Sequence, residues 1–141
     1  IPAAMGACYG APDRTVCMFC GDGGFQMTIQ ELGTIMENQI PVKMILLNNN
    51  YLGNVRQWQY MFFNKRYSFT PMLNPDYEKI AAGYNIPCRT VVEREELDAA
   101  IREMLETDGP YLLQCAVKEE DNVLPMTPPG ANVDEMLLEV N

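Results

Sequence analysis

Two short apolar runs, residues 15–20 and 42–47, each end abruptly in a polar loop rich in glycine or asparagine, with a helix-patterned stretch between them. That alternation constrains the fold more than any other feature. A run that is apolar almost throughout reads as a strand covered on both faces, as in parallel sheets. Parallel strands need a crossover, usually a helix. Residues 28–38 supply it, with Ile29, Leu32, Ile35 and Met36 on one face and Thr28 and Glu31 spaced as a capping box.

The pattern continues. Residues 2–7 read as a helix of small residues opened by Pro2, and residues 75–85 as a helix capped by Asn74 with Pro75 at its first position. Strands are expected at 89–92 and 111–117. A helix at 95–106 should bury Leu97, Ile101, Met104 and Leu105, and a short one is expected near 135–140. Residues 21–24 and 48–53 read as loops. The expected fold class is α/β, one parallel sheet with helices on both faces, in a single domain over residues 1–141. Ligands in such sheets sit beyond the carboxyl ends of the strands, where both polar loops emerge.

Composition narrows the function. The net charge is −9 and no basic patch with interleaved aromatics occurs, so no nucleic acid is expected as partner. The acidic clusters at 93–106 and 119–121 read as solvated faces and loops. No signal peptide is visible and no apolar run nears the ~20 residues that span a bilayer, so no membrane is expected either. Five cysteines without regular spacing give no disulfide framework and fit a cytoplasmic location. Cys17 and Cys20 are three apart on a strand and point to opposite faces, a poor chelate. The chain has no histidine, which excludes Ser-His-Asp and Cys-His catalysis within it.

The loops carry the remaining chemistry. Gly21, Gly23 and Gly24 form a turn without side-chain bulk around the Asp22 carboxylate, and Asn49 offers an amide oxygen after the next strand. With the backbone carbonyl of Tyr51 these are the hard oxygen donors that Mg2+ accepts alongside phosphate. Bare glycine amides at a helix start suit phosphate oxygens. The plainer alternative is a tight turn and an asparagine cap.

Gly21-Asp22-Gly23, followed after a helix and a strand by Asn48-Asn49, resembles the motif of thiamine diphosphate enzymes. Ile1-Pro2-Ala3-Ala4-Met5-Gly6-Ala7 is similar to the helix upstream of that motif. Gly53-Asn54-Val55-Arg56-Gln57-Trp58-Gln59 and Pro125-Met126-Thr127-Pro128-Pro129-Gly130-Ala131 resemble the acetolactate (acetohydroxyacid) synthases, and the likeness covers essentially the whole chain. It implies a thiamine diphosphate-binding fold truncated at its N-terminus. Asp22, Asn49 and the Tyr51 carbonyl would hold Mg2+. Gly21, Gly23, Gly24, Met27, Asn49 and Gly53 would lie about the cofactor, and Trp58 and Asn54 in the substrate pocket. Asn54 stands where the family usually has Met or Leu. Arg56 reads either as a partner for a substrate carboxylate or as a surface residue.

The reaction so implied joins two 2-oxoacids with loss of CO2. Pyruvate with a second pyruvate gives 2-acetolactate, and pyruvate with 2-oxobutyrate gives 2-aceto-2-hydroxybutyrate, precursors of valine, leucine and isoleucine. The family also implies an activating glutamate on the N-terminal domain of a homodimer partner, FAD carried mainly by a middle domain, and a regulatory small subunit. No segment here matches those domains. The expectation is therefore a C-terminal cofactor domain, inactive by itself, with residues 48–67 and the tail after Lys118 ordered only by the rest of the enzyme. Three competing readings are a 2-oxoacid decarboxylase or pyruvate oxidase domain, a naturally split subunit, and a non-catalytic nucleotide-binding module. The last lacks a Gly-x-Gly-x-x-Gly helix start.

Overall fold

The computed structural model describes residues 1–119 and 122–139. Four parallel strands, β1 (Cys17–Gly21), β2 (Lys43–Asn48), β3 (Cys88–Val91) and β4 (Tyr111–Ala116), form one sheet in the order β1-β2-β4-β3. The helices are α1 (Pro2–Gly10), α2 (Asp22–Gln26), α3 (Leu32–Asn38), α4 (Gly53–Phe62), α5 (Tyr77–Gly83) and α6 (Leu97–Glu106). Single 3-10 turns precede α3 (Ile29–Glu31) and α6 (Arg94–Glu96), and another lies at Val133–Glu135.

Period-two alternation sends the central strands to two cores. Met44, Leu46 and Leu112 pack against Met5 and Cys8 of α1, Phe25 of α2, Leu32 and Ile35 of α3, and Tyr77 and Ala81 of α5. Ile45, Leu113, Tyr111 and Val91 pack on the other face against Ala100 and Met104 of α6. Connectivity explains the division. The chain steps from β1 to β2 to β3 in one direction across the sheet and returns to β4 in the other. Right-handed crossovers therefore put α3 and α5 on one face and α6 on the opposite one. Met44, Leu46, Leu112 and Leu113 are fully buried, each stabilising the fold by about 1.5–3 kcal/mol. Lys43 is the buried polar exception on β2. Its buried ammonium donates to the carbonyls of Thr107 and Gly109, 2.7 Å away in the latter case, which satisfies the chain leaving α6, while burial lowers its pKa.

The elements differ from expectation in instructive places. β1 is an edge strand, not a buried one: Cys17 is exposed and Phe19 is 68% exposed. The helix expected over 28–38 is divided, because the chain turns helical at Asp22, tightens at Ile29–Glu31 and resumes at Leu32. Thr28 makes no side-chain cap, and the Glu31 carboxylate instead accepts from the Thr34 hydroxyl at 3.3 Å. Asp76, not Asn74, caps α5, accepting from the Lys79 amide at 3.1 Å, and Pro75 lies outside the helix. On α6 the buried positions include Ala100, whereas Leu105 is 48% exposed. Residues 53–62, within the stretch expected to be ordered only by the rest of the enzyme, form helix α4. The tail has its turn at Val133–Glu135, just ahead of the expected position, and residue 140 lies outside the described residues.

Helices thus cover both faces, but unequally. Beside α6 an apolar groove of about 600 Å³ stays open, lined by Cys17, Phe19, Leu47, Leu105, Cys115 and Val117 among others. No helix among the described residues is long and apolar enough to cross a membrane.

Candidate cofactor and metal site

Register brings the two polar loops together. Gly21 on β1 is level with Leu47 on β2, so Asp22 and Asn48 leave the carboxyl edge of the sheet side by side. A cavity of about 510 Å³ opens there, lined by Gly21 at the end of β1, by Asp22, Gly23 and Gly24 of α2, by Asn49 and Tyr51 of the loop after β2, and by Gly53 and Asn54 of α4, so the stretch expected as a loop over 21–24 is a strand end running into a helix. That volume suits a small-molecule cofactor. Leu47, Leu52, Val55, Val117 and Lys118 complete its wall.

Asp22 is 2% exposed, and among the described residues none forms an ion pair with it. Its Oδ1 accepts from the Gly23 amide at 3.0 Å and its Oδ2 from Asn74 Nδ2 at 2.6 Å. A buried carboxylate held only by neutral donors keeps lone pairs for a cation. Asn49 Oδ1 accepts from the Tyr51 amide at 3.1 Å and Asn48 Oδ1 from the Asn50 amide at 3.1 Å, the local bonding that makes asparagine a turn residue. Asn50 takes the left-handed conformation at φ 57°, which asparagine tolerates better than most. The loop is pinned further by a bridge between Tyr51 and Pro71.

The donor set is one carboxylate with amide and carbonyl oxygens. Among the described residues no cluster of three His, Cys, Asp or Glu side chains exists. Such a set fits a hard divalent cation that shares its remaining positions with phosphate and water, and does not fit zinc. The glycines fit an anion. A Cβ at Gly24 meets nothing within 4 Å, whereas one at Gly53 would stand 3.0 Å from Asn49 Nδ2, so Gly53 lets α4 start hard against that side chain. At Gly23 a Cβ would meet Leu52 Cδ2 at 2.9 Å. Gly21 carries no such constraint, its nearest neighbour being the Leu47 carbonyl at 4.0 Å. The first turns of both α2 and α4 line the cavity, and first-turn amides have no intrahelical acceptors. Helix α2 has only five residues, so its dipole adds less than expected and the longer α4 contributes more.

Groups beside the carboxylate stay neutral. Burial, with Asp22 adding to it, pushes the Tyr77 phenol up to about 12. Burial likewise pushes the Cys20 thiol up to about 11.

The remaining sequence-predicted residues lie apart from the cavity wall. Met27 is 75% exposed just past α2. Trp58 is 40% exposed on α4, edge-on to Phe62 with ring centroids 6.1 Å apart. Arg56 is not a surface residue. It is 7% exposed, its guanidinium lies between the rings of Tyr51 (4.8 Å) and Tyr67 (4.6 Å), and Nη1 donates to the Glu119 carbonyl at 2.9 Å. Beside it Gln57 donates to the Val123 carbonyl at 3.0 Å and accepts from the Val123 amide at 2.9 Å, tying the tail to α4. Sequence reasoning missed Asn74, Lys118 and the N-terminus of α4. Lys118 had no pattern to mark it. Asn74 had one, an Asn-Pro pair, which reads as a cap.

The chain matches the family described as "Thiamine pyrophosphate enzyme, C-terminal TPP binding domain" over residues 1–115. It is 46% identical over 138 residues to the acetolactate synthase isozyme 2 large subunit of Escherichia coli (strain K12), covering 97% of this chain and 25% of that protein. It is 43% identical over 147 residues to acetolactate synthase 1, chloroplastic, of Oryza sativa subsp. japonica, covering 99% of this chain and 23% of that protein. Among solved structures it resembles the thiamine diphosphate-dependent 4-hydroxybenzoylformate decarboxylase of Rhodococcus jostii RHA1, with a TM-score of 0.77 and 29% identity over 84% of this chain and 22% of that one. The chain spans about a quarter of the length of the curated relatives it matches.

Proposed function

The chain belongs to the thiamine pyrophosphate enzymes, through their C-terminal TPP binding domain, and from that membership we propose that residues 1–141 serve as this domain in the large catalytic subunit of an acetolactate synthase. The observation that carries the proposal is identity of 38–46% to proteins of that name over almost the whole chain, beyond residue 115 where the family match ends. The activity is joining of two 2-oxoacids with loss of CO2, on the route to branched-chain amino acids. A decarboxylase is the rival, because the solved relative is one, but at 29% identity and with less of the chain covered.

In this reading Asp22, the Asn49 amide oxygen and the Tyr51 carbonyl bind Mg2+. The amides of Gly23 and Gly24 and of the first turn of α4 receive the diphosphate, with Gly53 keeping the backbone close and Gly21 lining the cavity. Lys118 adds the positive charge that a net −9 chain otherwise withholds. Thiamine diphosphate, when bound, supplies the carbanion chemistry. The chain contributes binding, orientation and a selective pocket. Met27 is exposed and available to a cofactor ring, while Trp58 and Asn54 border the acceptor. Contact between the indole and the extra methyl of 2-oxobutyrate is worth roughly 1–3 kcal/mol.

The activating glutamate and FAD belong to other domains in this proposal, the former on a homodimer partner, and a regulatory small subunit joins the assembly. The open apolar groove beside α6 supports further domains of the same subunit covering this one. Five free cysteines support a reducing compartment such as the cytoplasm.

The test is to supply the full-length subunit with thiamine diphosphate, Mg2+, FAD and equal pyruvate and 2-oxobutyrate, and to identify the products by mass. Acetohydroxybutyrate with acetolactate is the expected result. Free acetaldehyde or acetyl phosphate in their place would leave only the cofactor class standing.

A further inference from the structure

One amide ties the carboxylate of the cavity to both asparagines that flank Asn49. Asn74 Nδ2 lies 2.6 Å from Asp22 Oδ2, 2.9 Å from Asn48 Oδ1 and 3.0 Å from Asn50 Oδ1. Its Oδ1 accepts from Gln26 Nε2 at 2.7 Å and from the Tyr77 hydroxyl at 3.2 Å. The orientation of this amide is dictated by its partners. A carboxylate oxygen only accepts, so the NH2 end must face Asp22. Its bond to the carboxylate is the shortest of the three, as a charge-assisted bond should be. Two hydrogens serve three acceptors, leaving Asn48 and Asn50 to share the second.

Asn74 is not in the cavity wall, whereas Asp22 and Asn49 are. It acts from behind, joining the end of β1, the loop after β2 and the segment ahead of α5. The helix-capping role its sequence suggests is filled by Asp76, so the amide is committed to this network alone.

We propose that Asn74 is a positioning residue for the divalent cation, fixing the rotation of the Asp22 carboxylate and its spacing from the Asn49 loop. The proposal rests on the reading of Asp22 as a cation ligand. Mg2+ demands near-ideal octahedral oxygen geometry, and Mn2+ takes the same oxygen ligands, so rotation of one carboxylate is felt directly. Loss of such an outer partner typically lowers metal affinity about 10–100-fold. Gln26 and Tyr77 hold Asn74 in turn.

The test is a Mn2+ titration of the full-length subunit with saturating thiamine diphosphate, followed by electron paramagnetic resonance, for the parent, Asn74→Ala, Gln26→Leu and Asp22→Ala. Asn74→Ala should raise the Mn2+ dissociation constant by about 10–100-fold and alter the line shape at saturation. Gln26→Leu keeps Asn74 and loosens it, so a smaller rise of several-fold in the same direction is expected, readable even where Asn74→Ala folds poorly. A purely structural role would lower the signal at saturation in proportion to the unfolded fraction and leave both dissociation constant and line shape unchanged. That result for both variants, with Asp22→Ala still weakening the metal, would overturn the role of Asn74 alone. An unchanged dissociation constant in Asp22→Ala would overturn the ligand reading, and the positioning role with it.

Discussion

Replacing Gly53 by alanine should damage the cation site without damaging the fold. The added Cβ would lie 3.0 Å from Asn49 Nδ2, and ordinary contact begins at 3.4 Å, so the Asn49 amide must retreat by about 0.4 Å. Gly53 has no left-handed φ, so the backbone accepts alanine without strain. It opens α4, where alanine is a better helix former than glycine, so stability should hold or rise by up to about 1 kcal/mol. A shift of that size is about a fifth of a Mg–O distance of roughly 2.0–2.1 Å. We expect thiamine diphosphate affinity measured in Mg2+ to fall about tenfold, equivalent to about 1.4 kcal/mol. In Ca2+, with longer and more flexible bonds of roughly 2.3–2.6 Å, the loss should be smaller. The assay is calorimetric titration of the full-length subunit in each cation, with a urea melt as control. Unchanged affinity in Mg2+ at unchanged stability would refute the placement of Asn49 as a ligand.

Trp58→Leu should lower the ratio of acetohydroxybutyrate to acetolactate by about tenfold, from roughly 1–3 kcal/mol of lost methyl contact, read by mass from mixed substrates. The half-exposed indole makes its stability cost small, within about 0.5 kcal/mol. Asp76→Ala should cost about 1 kcal/mol in a urea melt through loss of the α5 cap. Glu103 accepts from the Tyr111 hydroxyl and from Arg89, each at 2.7 Å, and these bonds hold its carboxyl below the usual range. A depressed carboxylate contributes stability above its unfolded pKa of about 4.3 and loses it as pH falls through the folded value. Glu103→Gln should therefore lower the urea midpoint at neutral pH, and the difference from the parent should close as the solution is acidified below that range.

What was legible in the sequence follows the range of the forces involved. The β2 run and the Asn-Asn loop are legible because burial on both faces and turn chemistry leave a local pattern, whereas the loop expected over 21–24 is the end of β1 running straight into α2. Strand order was not legible, since β4 inserts between β2 and β3 through contacts far apart in sequence. The exposure of Phe19 was unreadable for the same reason: an apolar run is alike on an edge and in a centre. Residues 53–62 lie in the stretch expected to be ordered only by the rest of the enzyme, and they form helix α4 within the chain itself. Their helix is held by Arg56 and Gln57, whose partners lie more than sixty residues away in the tail. Asn74 is legible in the sequence only as a helix cap. Its Asn-Pro context fits a cap, and only the tertiary fold brings it to Asp22.

The central claim is that Asp22 holds thiamine diphosphate through a divalent cation. The most direct measurement is calorimetric titration of thiamine diphosphate into the full-length subunit in Mg2+ and in EDTA, for the parent and for Asp22→Ala. The account predicts binding by the parent in Mg2+ only, and loss of at least about 100-fold in affinity for Asp22→Ala, as expected when a buried ligand carboxylate is removed (roughly 3 kcal/mol or more). Equal affinity with and without Mg2+, or in Asp22→Ala, would contradict it.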